Sequence, residues 1–271
     1  MRGVTLRVGL IGFGAIGRAV AERLARGEAG EARVCGVLVR HPERIDPAQR
    51  KQHGDVFFAD AADFLRTKPD WVVEAAGHAA LRQWGPAVVA GGANLMALSA
   101  GALADDGFRD QLERGAREAG RRVLVPSGGM GALDLLSSAA LDRLDAVRLV
   151  TRKPPRALLP PDEAAAVVAS GRARLLFDGT AREAAPIFPE NLNICSALAL
   201  AGIGLDRTRV TVYADPRVTR NTHRISARGA TGSYQLILRH IPSENPKTGR
   251  VVALSVVKAL RNLTSSFVVG G

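Results

Sequence analysis

Gly12, Gly14 and Gly17 constrain this chain more than any other feature. They follow directly on an apolar run with β-branched content, Leu6-Arg7-Val8-Gly9-Leu10-Ile11, which suits a buried parallel strand. Behind them, Arg18 to Arg26 has helical spacing, with Val20, Leu24 and small alanines on one side. Val34 to Val39 is a second apolar strand, which completes a strand, turn, helix and strand unit. Each glycine answers a separate need of a dinucleotide site. The first permits the tight turn, the second lets a pyrophosphate reach the backbone, and the third lets helix and strand pack closely. The helix N-terminus then points its free amides at the diphosphate, and Ala15 and Ile16 of the turn join the three glycines as cofactor-binding candidates.

The alternation continues along the chain. Asp60 to Leu65 reads as a short helix, Trp71 to Ala76 as a strand, and Leu81 to Ala90 as a helix. Leu95 to Ser99, Asp105 to Ala119 and Arg122 to Pro126 extend the pattern as strand, helix and strand. Such alternation predicts an α/β protein with a Rossmann-type, doubly wound parallel sheet. After Pro126 the pattern changes. Ser127-Gly128-Gly129-Met130-Gly131 is a second glycine-rich turn, expected to open a helix from about Ala132 to Leu144. The strand-like runs 146–151, 209–214, 223–227 and 233–239 then predict a second α+β domain on a mixed or antiparallel sheet. Residues 191–201 and 251–263 read as helices, and the last residues as a loose tail. The expected division is a dinucleotide-binding domain of residues 1–126 plus 245–271, and a substrate and dimerisation domain of residues 127–244.

Composition narrows the function classes. With 271 residues, 46% of them hydrophobic and 23% charged, the chain can bury a core and is neither disordered nor fibrous. Cys35 and Cys195 form no disulfide framework, and no metal-ligand spacing occurs, so no metal is expected. No apolar run suits a membrane span and no signal-peptide pattern is present. A reduced, cytoplasmic enzyme is the expectation. The net charge of +11 comes from 32 arginines and only 5 lysines. The arginines are scattered and aromatics are 4%, so no nucleic-acid partner is expected.

An acidic residue usually ends the second strand of an NAD site and binds the ribose 2′-hydroxyl. Here the strand ends Val39-Arg40-His41. Arg40 either pairs with a 2′-phosphate, which favours NADP, or stands solvated at a strand end. Ala75, Ala76 and Gly77 follow one strand and Ser99 ends the next, both at the sheet edge where ligands bind in this architecture. The candidate acid–base groups are five histidines. His41 and His53 lie in polar stretches and read as solvent-facing, His78 lies near the cofactor edge, and His240 ends a strand. His223 begins a strand of the second domain in the segment Asn221-Thr222-His223-Arg224-Ile225.

These residues carry a resemblance to the L-aspartate dehydrogenase family. It rests on Gly9 to Gly17, Glu74 to His78, Ser99 to Leu103 and Pro126 to Asp134. Further pieces are Thr151 to Pro155, Phe177 to Ala184, Phe188 to Asn193, Ala214 to Pro216, Asn221 to Ile225 and Asn245 to Thr248. The resemblance implies NAD(P)-dependent oxidative deamination of L-aspartate to iminoaspartate, and so to oxaloacetate and ammonia. It makes His223 the acid–base group and puts Asn193 at the nicotinamide. The second glycine turn touches the cofactor in the family, where Ser-Gly-Ala is usual. Here it reads Ser127-Gly128-Gly129, so Gly129 serves through its backbone alone. A homodimer is implied, with the last helix returning to the dinucleotide domain. The product could feed NAD biosynthesis. Two substrate carboxylates need donors, and Arg152, Lys153, Asn191, Lys247 and Thr248 are the candidates, with bidentate pairing favouring Arg152. A homoserine dehydrogenase or dihydrodipicolinate reductase type of oxidoreductase, and a non-catalytic NADP-binding sensor, are the alternatives. Fold alone does not separate them.

Overall fold

The computed structural model describes residues 5–188, 193–241 and 249–270. Contacts divide the chain into two units. The first comprises residues 1–128 with 253–271, and the second residues 129–252.

The first unit alternates strand and helix: β1 (Leu6–Ile11), α1 (Ala15–Ala25), β2 (Ala32–Leu38), α2 (Pro47–His53), β3 (Phe57–Phe58), α3 (Ala61–Arg66), β4 (Trp71–Glu74), α4 (His78–Ala90), β5 (Asn94–Ala97), α5 (Asp106–Glu118) and β6 (Val123–Leu124). The strands form one sheet in the order β3-β2-β1-β4-β5-β6, parallel at every pairing. Strand order reverses beside β1, at the topological switch point where such sheets bind ligands. Both faces of the central strands are covered, so they read as unbroken apolar runs. Val8, Leu10, Val37 and Val73 are buried to 1% exposure or less. Side-chain caps start three helices: Asp46 accepts from Ala48 and Gln49, Asp60 from Ala62 and Asp63, and Asp105 from Phe108. Of the expected strand over 122–126, only Val123 and Leu124 pair, at the sheet edge.

The second unit contains α6 (Leu133–Ala139), β7 (Leu144–Lys153), α7 (Pro161–Ser170), β8 (Arg174–Thr180), α8 (Ala181–Ile187), α9 (Asn193–Ala201), β9 (Arg209–Ala214), β10 (Thr222–Gly229) and β11 (Gly232–Arg239). Its sheet runs β11-β10-β7-β9-β8 and is mixed: β7 and β9 are parallel, and the other neighbours antiparallel. In β10, His223, Ile225 and Ala227 are buried while Arg224 and Arg228 are exposed. One face of this strand is therefore covered and the other open. Cys195 and Leu198 of α9 and Ala181 and Ala184 of α8 are fully buried among the helices of the unit.

The helix read over 132–144 stops at Ala139, because Leu144 and Ala146 are taken into the ladder with Gly229 and Arg228. Helix α7 and strand β8 were not read at all. Strand β8 is an edge strand whose exposed Arg174, Leu175 and Asp178 blur the alternation that marks a half-buried strand. Helix α8 also escaped notice, although Thr180-Ala181-Arg182-Glu183 is a capping box, with Glu183 bonded back to the Thr180 amide at 2.7 Å.

The last helix, α10 (Val251–Thr264), belongs from Ala253 onward to the first unit. Its Ala253, Val256, Val257 and Leu260 lie in one apolar cluster with Val8, Leu10, Val20, Leu24 and Val37. Thr264 donates its hydroxyl to the Ala29 carbonyl at 2.8 Å. No helix among the described residues is long and apolar enough to cross a membrane.

Candidate active site

In the first unit Gly12 and Gly17 are enforced by their surroundings. Gly12 has φ +93°, and a Cβ there would lie 2.8 Å from the Ala76 Cβ. At Gly17 a Cβ would come within 2.3 Å of the Gly12 carbonyl oxygen. Gly14 is different: a side chain there would meet nothing within 4 Å. It is the N-cap of α1 and offers no side-chain oxygen to the amides of the first turn. Those amides, at Ala15, Ile16 and Gly17, precede the helical bonding pattern, and Gly14 beside them is exposed. An open backbone cradle at a helix N-terminus fits the pyrophosphate of a dinucleotide. Arg40 is exposed, two residues beyond β2.

The loops after β4 and β5 are tied together by a carboxylate that the sequence reading passed over. Glu74 is fully buried. Its Oε1 accepts from the amides of Ala76 and Gly77, both at 2.8 Å, and from the Ser99 hydroxyl at 2.9 Å. Its Oε2 accepts from the Ser99 amide at 3.1 Å. Ser99 was expected at the cofactor. Its hydroxyl donates to Glu74, which fixes it at the end of β5. Ala76 and Gly77 are held in place by the same carboxylate, and the Ala75 amide donates to the Ile11 carbonyl at 2.9 Å.

In the second unit, the antiparallel register sets His223 of β10 opposite Thr151 of β7. His223 is buried, and its Nδ1 lies 3.0 Å from the Thr151 hydroxyl. Lys153 is two residues further along β7, on the same face, and only 1% exposed. The ring of His240 lies 5.4 Å from that of His223, tilted by 53°. Burial, then the positive charge of Lys153 and the nearby His240, press the His223 pKa down to about 3. Burial alone lowers Lys153 to about 8. His240 is lowered as well, chiefly by burial and against the effect of its hydrogen bond to the Gly129 backbone. At neutral pH both imidazoles are neutral and Lys153 carries its charge. A neutral imidazole fixed at Nδ1 leaves Nε2 for proton transfer.

Arg152 lies elsewhere. Strand alternation turns it to the opposite face of β7, beside Thr222, away from Thr151 and Lys153. There it bonds to Asp215 at 2.7 Å and stacks 4.3 Å over the Tyr213 ring. Arg217 and Arg152 together hold the Asp215 carboxyl down at about 2. Arg152, expected among the carboxylate donors, thus lies across the strand from His223 with its charge paired to Asp215, and Lys153 is the cation on the His223 side. Asn193 opens α9 and is partly buried. Asn191, Lys247 and Thr248 lie outside the described residues. His53 was read as solvent-facing, yet it is partly buried, edge-on to Phe13 at 5.6 Å. Among the described residues, no group of His, Cys, Asp or Glu could hold a metal.

Comparison with known proteins bears on the whole chain. Residues 12–126 match the family model described as homoserine dehydrogenase, NAD binding domain, and residues 134–263 the model described as aspartate dehydrogenase, C-terminal. The L-aspartate dehydrogenase of Cupriavidus taiwanensis is 38% identical, over 95% of this chain and 97% of that protein. L-aspartate dehydrogenase 2 of Bordetella bronchiseptica is 41% identical, over 98% of this chain and 100% of its own. The crystal structure of aspartate dehydrogenase from Thermotoga maritima superposes with a TM-score of 0.77 at 27% identity, covering 98% of this chain and 99% of that one. A hyperthermophilic archaeal homoserine dehydrogenase shares the fold, with a TM-score of 0.65 at 14% identity. With the glycine cradle in one unit, the buried histidine in the other, and relatives matched nearly end to end, this chain belongs to the L-aspartate dehydrogenase family.

Proposed function

We propose that this chain oxidises L-aspartate with NAD or NADP to iminoaspartate, which water converts to oxaloacetate and ammonia, and that the reaction runs in both directions. The observation that carries the reading is the buried His223, bonded through Nδ1 to Thr151 and sharing its face with Lys153. It accompanies an uncapped glycine cradle that suits a dinucleotide.

When bound, the nicotinamide accepts the hydride that leaves the aspartate Cα. The amine must be neutral for that loss, because an ammonium has no lone pair to form the carbon–nitrogen double bond. Lys153 pairs its ammonium with a substrate carboxylate, and the arriving negative charge in turn favours the protonated lysine. Thr151 accepts the Nδ1 proton of His223, which presents the Nε2 lone pair to water attacking the imino carbon. The protonated imidazole then returns its proton to the departing nitrogen. Overall, aspartate, NAD(P)+ and water give oxaloacetate, ammonium, NAD(P)H and one proton.

Asn193 and the Gly129 backbone are assigned to the nicotinamide, and Arg40 to a 2′-phosphate. Asn191, Lys247 and Thr248 complete the carboxylate donors in this reading. Residues 1–126 with 245–271 hold the cofactor. Residues 127–244 carry substrate and join two chains into a cytoplasmic homodimer.

Absorbance at 340 nm tests the proposal. L-aspartate is offered with NAD and with NADP, and oxaloacetate plus ammonia with the reduced forms. Malate, homoserine, glutamate and alanine serve as controls. Turnover confined to aspartate and oxaloacetate is expected. Turnover of homoserine instead, or cofactor binding without any turnover, would overturn it.

A further inference from the structure

His240 is gripped on several sides. Its backbone amide donates to the Asn221 carbonyl at 3.0 Å, two residues before His223. Its ring lies against two glycines. A Cβ on Gly129 would stand 3.1 Å from His240 Cε1, and one on Gly249 would stand 3.2 to 3.3 Å from its Cβ, Cγ and Nδ1. Those distances are tighter than side chains ordinarily tolerate, and the His240 ring is clamped at its backbone and so has little room to yield. The ring also bonds to the Gly129 backbone and faces the His223 ring. Gly129 and Gly249 thus make the space in which a second imidazole closes over the first.

We propose that His240 is a positioning residue for His223, seated by the side-chain-free surfaces of Gly129 and Gly249, and that this pairing keeps the His223 imidazole dry, oriented and neutral. The inference rests on His223 being the acid–base group. The groups that act on His223 are Thr151 and Lys153 from β7 and His240 beyond β11. Of these, His240 alone supplies a ring against the imidazole. Removing that ring hydrates His223 and removes a neighbouring charge site, and both changes raise its affinity for a proton.

The test pairs a titration with kinetics. Histidines are labelled with 15N, and the ring signals of the full-length protein without ligands are followed against pH for the native protein, His240→Ala, His240→Gln and Gly129→Ala. In the native protein His223 stays neutral down to about 3. In His240→Ala its midpoint moves up by about one unit or more. The acid limb of kcat/KM for aspartate moves up with it. His240→Gln, which keeps bulk without titrating, restores most of the native profile. Gly129→Ala displaces the ring and reproduces the alanine shift, and Gly129→Ala combined with His240→Ala adds nothing further. Should His240→Ala fail to fold, Gly129→Ala carries the same titration. An unmoved His223 midpoint in folded His240→Ala or Gly129→Ala overturns the inference. The titration needs no turnover, so a shifted midpoint in a protein inactive on aspartate supports the pairing while sinking the proposed activity.

Discussion

Ser99 donates its hydroxyl to Glu74 at 2.9 Å, so a buried carboxylate joins the ends of β4 and β5. The same carboxylate fixes the Ala76 and Gly77 amides, which sets the loop packed against Gly12. Each of these polar groups would be costly to leave unpaired in the core.

Replacing Ser99 with Ala is therefore expected to lower stability by about 1 to 2 kcal/mol. Glu74→Ala, which strands several donors at once, costs about 3 kcal/mol or more. Urea unfolding measures both. Cofactor affinity should fall with Glu74→Ala, and an unaltered dissociation constant would show that the carboxylate does not govern the cradle.

His223→Ala is expected to reduce turnover about 100-fold or more, the scale of general acid–base catalysis, with cofactor affinity little changed. Thr151→Val should cost less, about tenfold, because it removes the group that selects the imidazole tautomer and leaves the base in place. Steady-state kinetics on both variants rank them. A Thr151→Val enzyme slower than His223→Ala would reverse the assigned roles.

Arg40→Ala should weaken NADPH binding by about tenfold or more and leave NADH nearly untouched, because only the former carries the 2′-phosphate. Fluorescence titration with the two reduced cofactors decides the matter. An equal loss on both would remove Arg40 from cofactor choice.

Lys153 couples function to pH-dependent stability. In the folded chain its pKa falls from 10.5 to about 8 through burial. The unfolded state therefore binds more protons between those values, and stability rises as pH climbs from about 8 toward 10.5. Below that window the buried charge costs about 3 kcal/mol. Lys153→Met should flatten this rise, stabilise the protein at pH 7, and raise KM for aspartate by at least about tenfold. Denaturation curves at pH 7 and 10 with matched kinetics check it. A variant less stable at pH 7 with an unchanged KM would contradict the assignment.

Most of the first unit was legible, because parallel strands buried on both faces announce themselves as apolar runs and the glycines stand inside a complete strand, turn, helix and strand unit, whereas α2, with no buried residue, carried no apolar stripe. Edge strands were harder: Phe57 and Phe58 form a two-residue β3, and β8 lacks clean alternation. His223 was singled out through the family resemblance, but its company was not legible. Thr151, Lys153 and His240 meet it only through a strand register, and sequence spacing cannot show which residue stands opposite which. The face that Arg152 takes was hidden for the same reason, since one step along a strand exchanges one face for the other. Glu74 left a weak signal, an acid closing an otherwise apolar strand, and its meaning depends on amides brought to it by the fold.

The cluster that joins Val8 to Val256 gives the molecule an order of assembly. The core of the first unit draws on residues near both ends of the chain, whereas the second unit, residues 129–252, is continuous. On a ribosome that adds roughly 5 to 20 residues each second, the inserted unit is complete before α10 emerges. The nucleotide-binding sheet, made before it, must wait with an apolar strip uncovered until α10 arrives. Loss of α10 would thus strike the core laid down first, opening the cluster of Val8, Leu10 and Val37 that it completes.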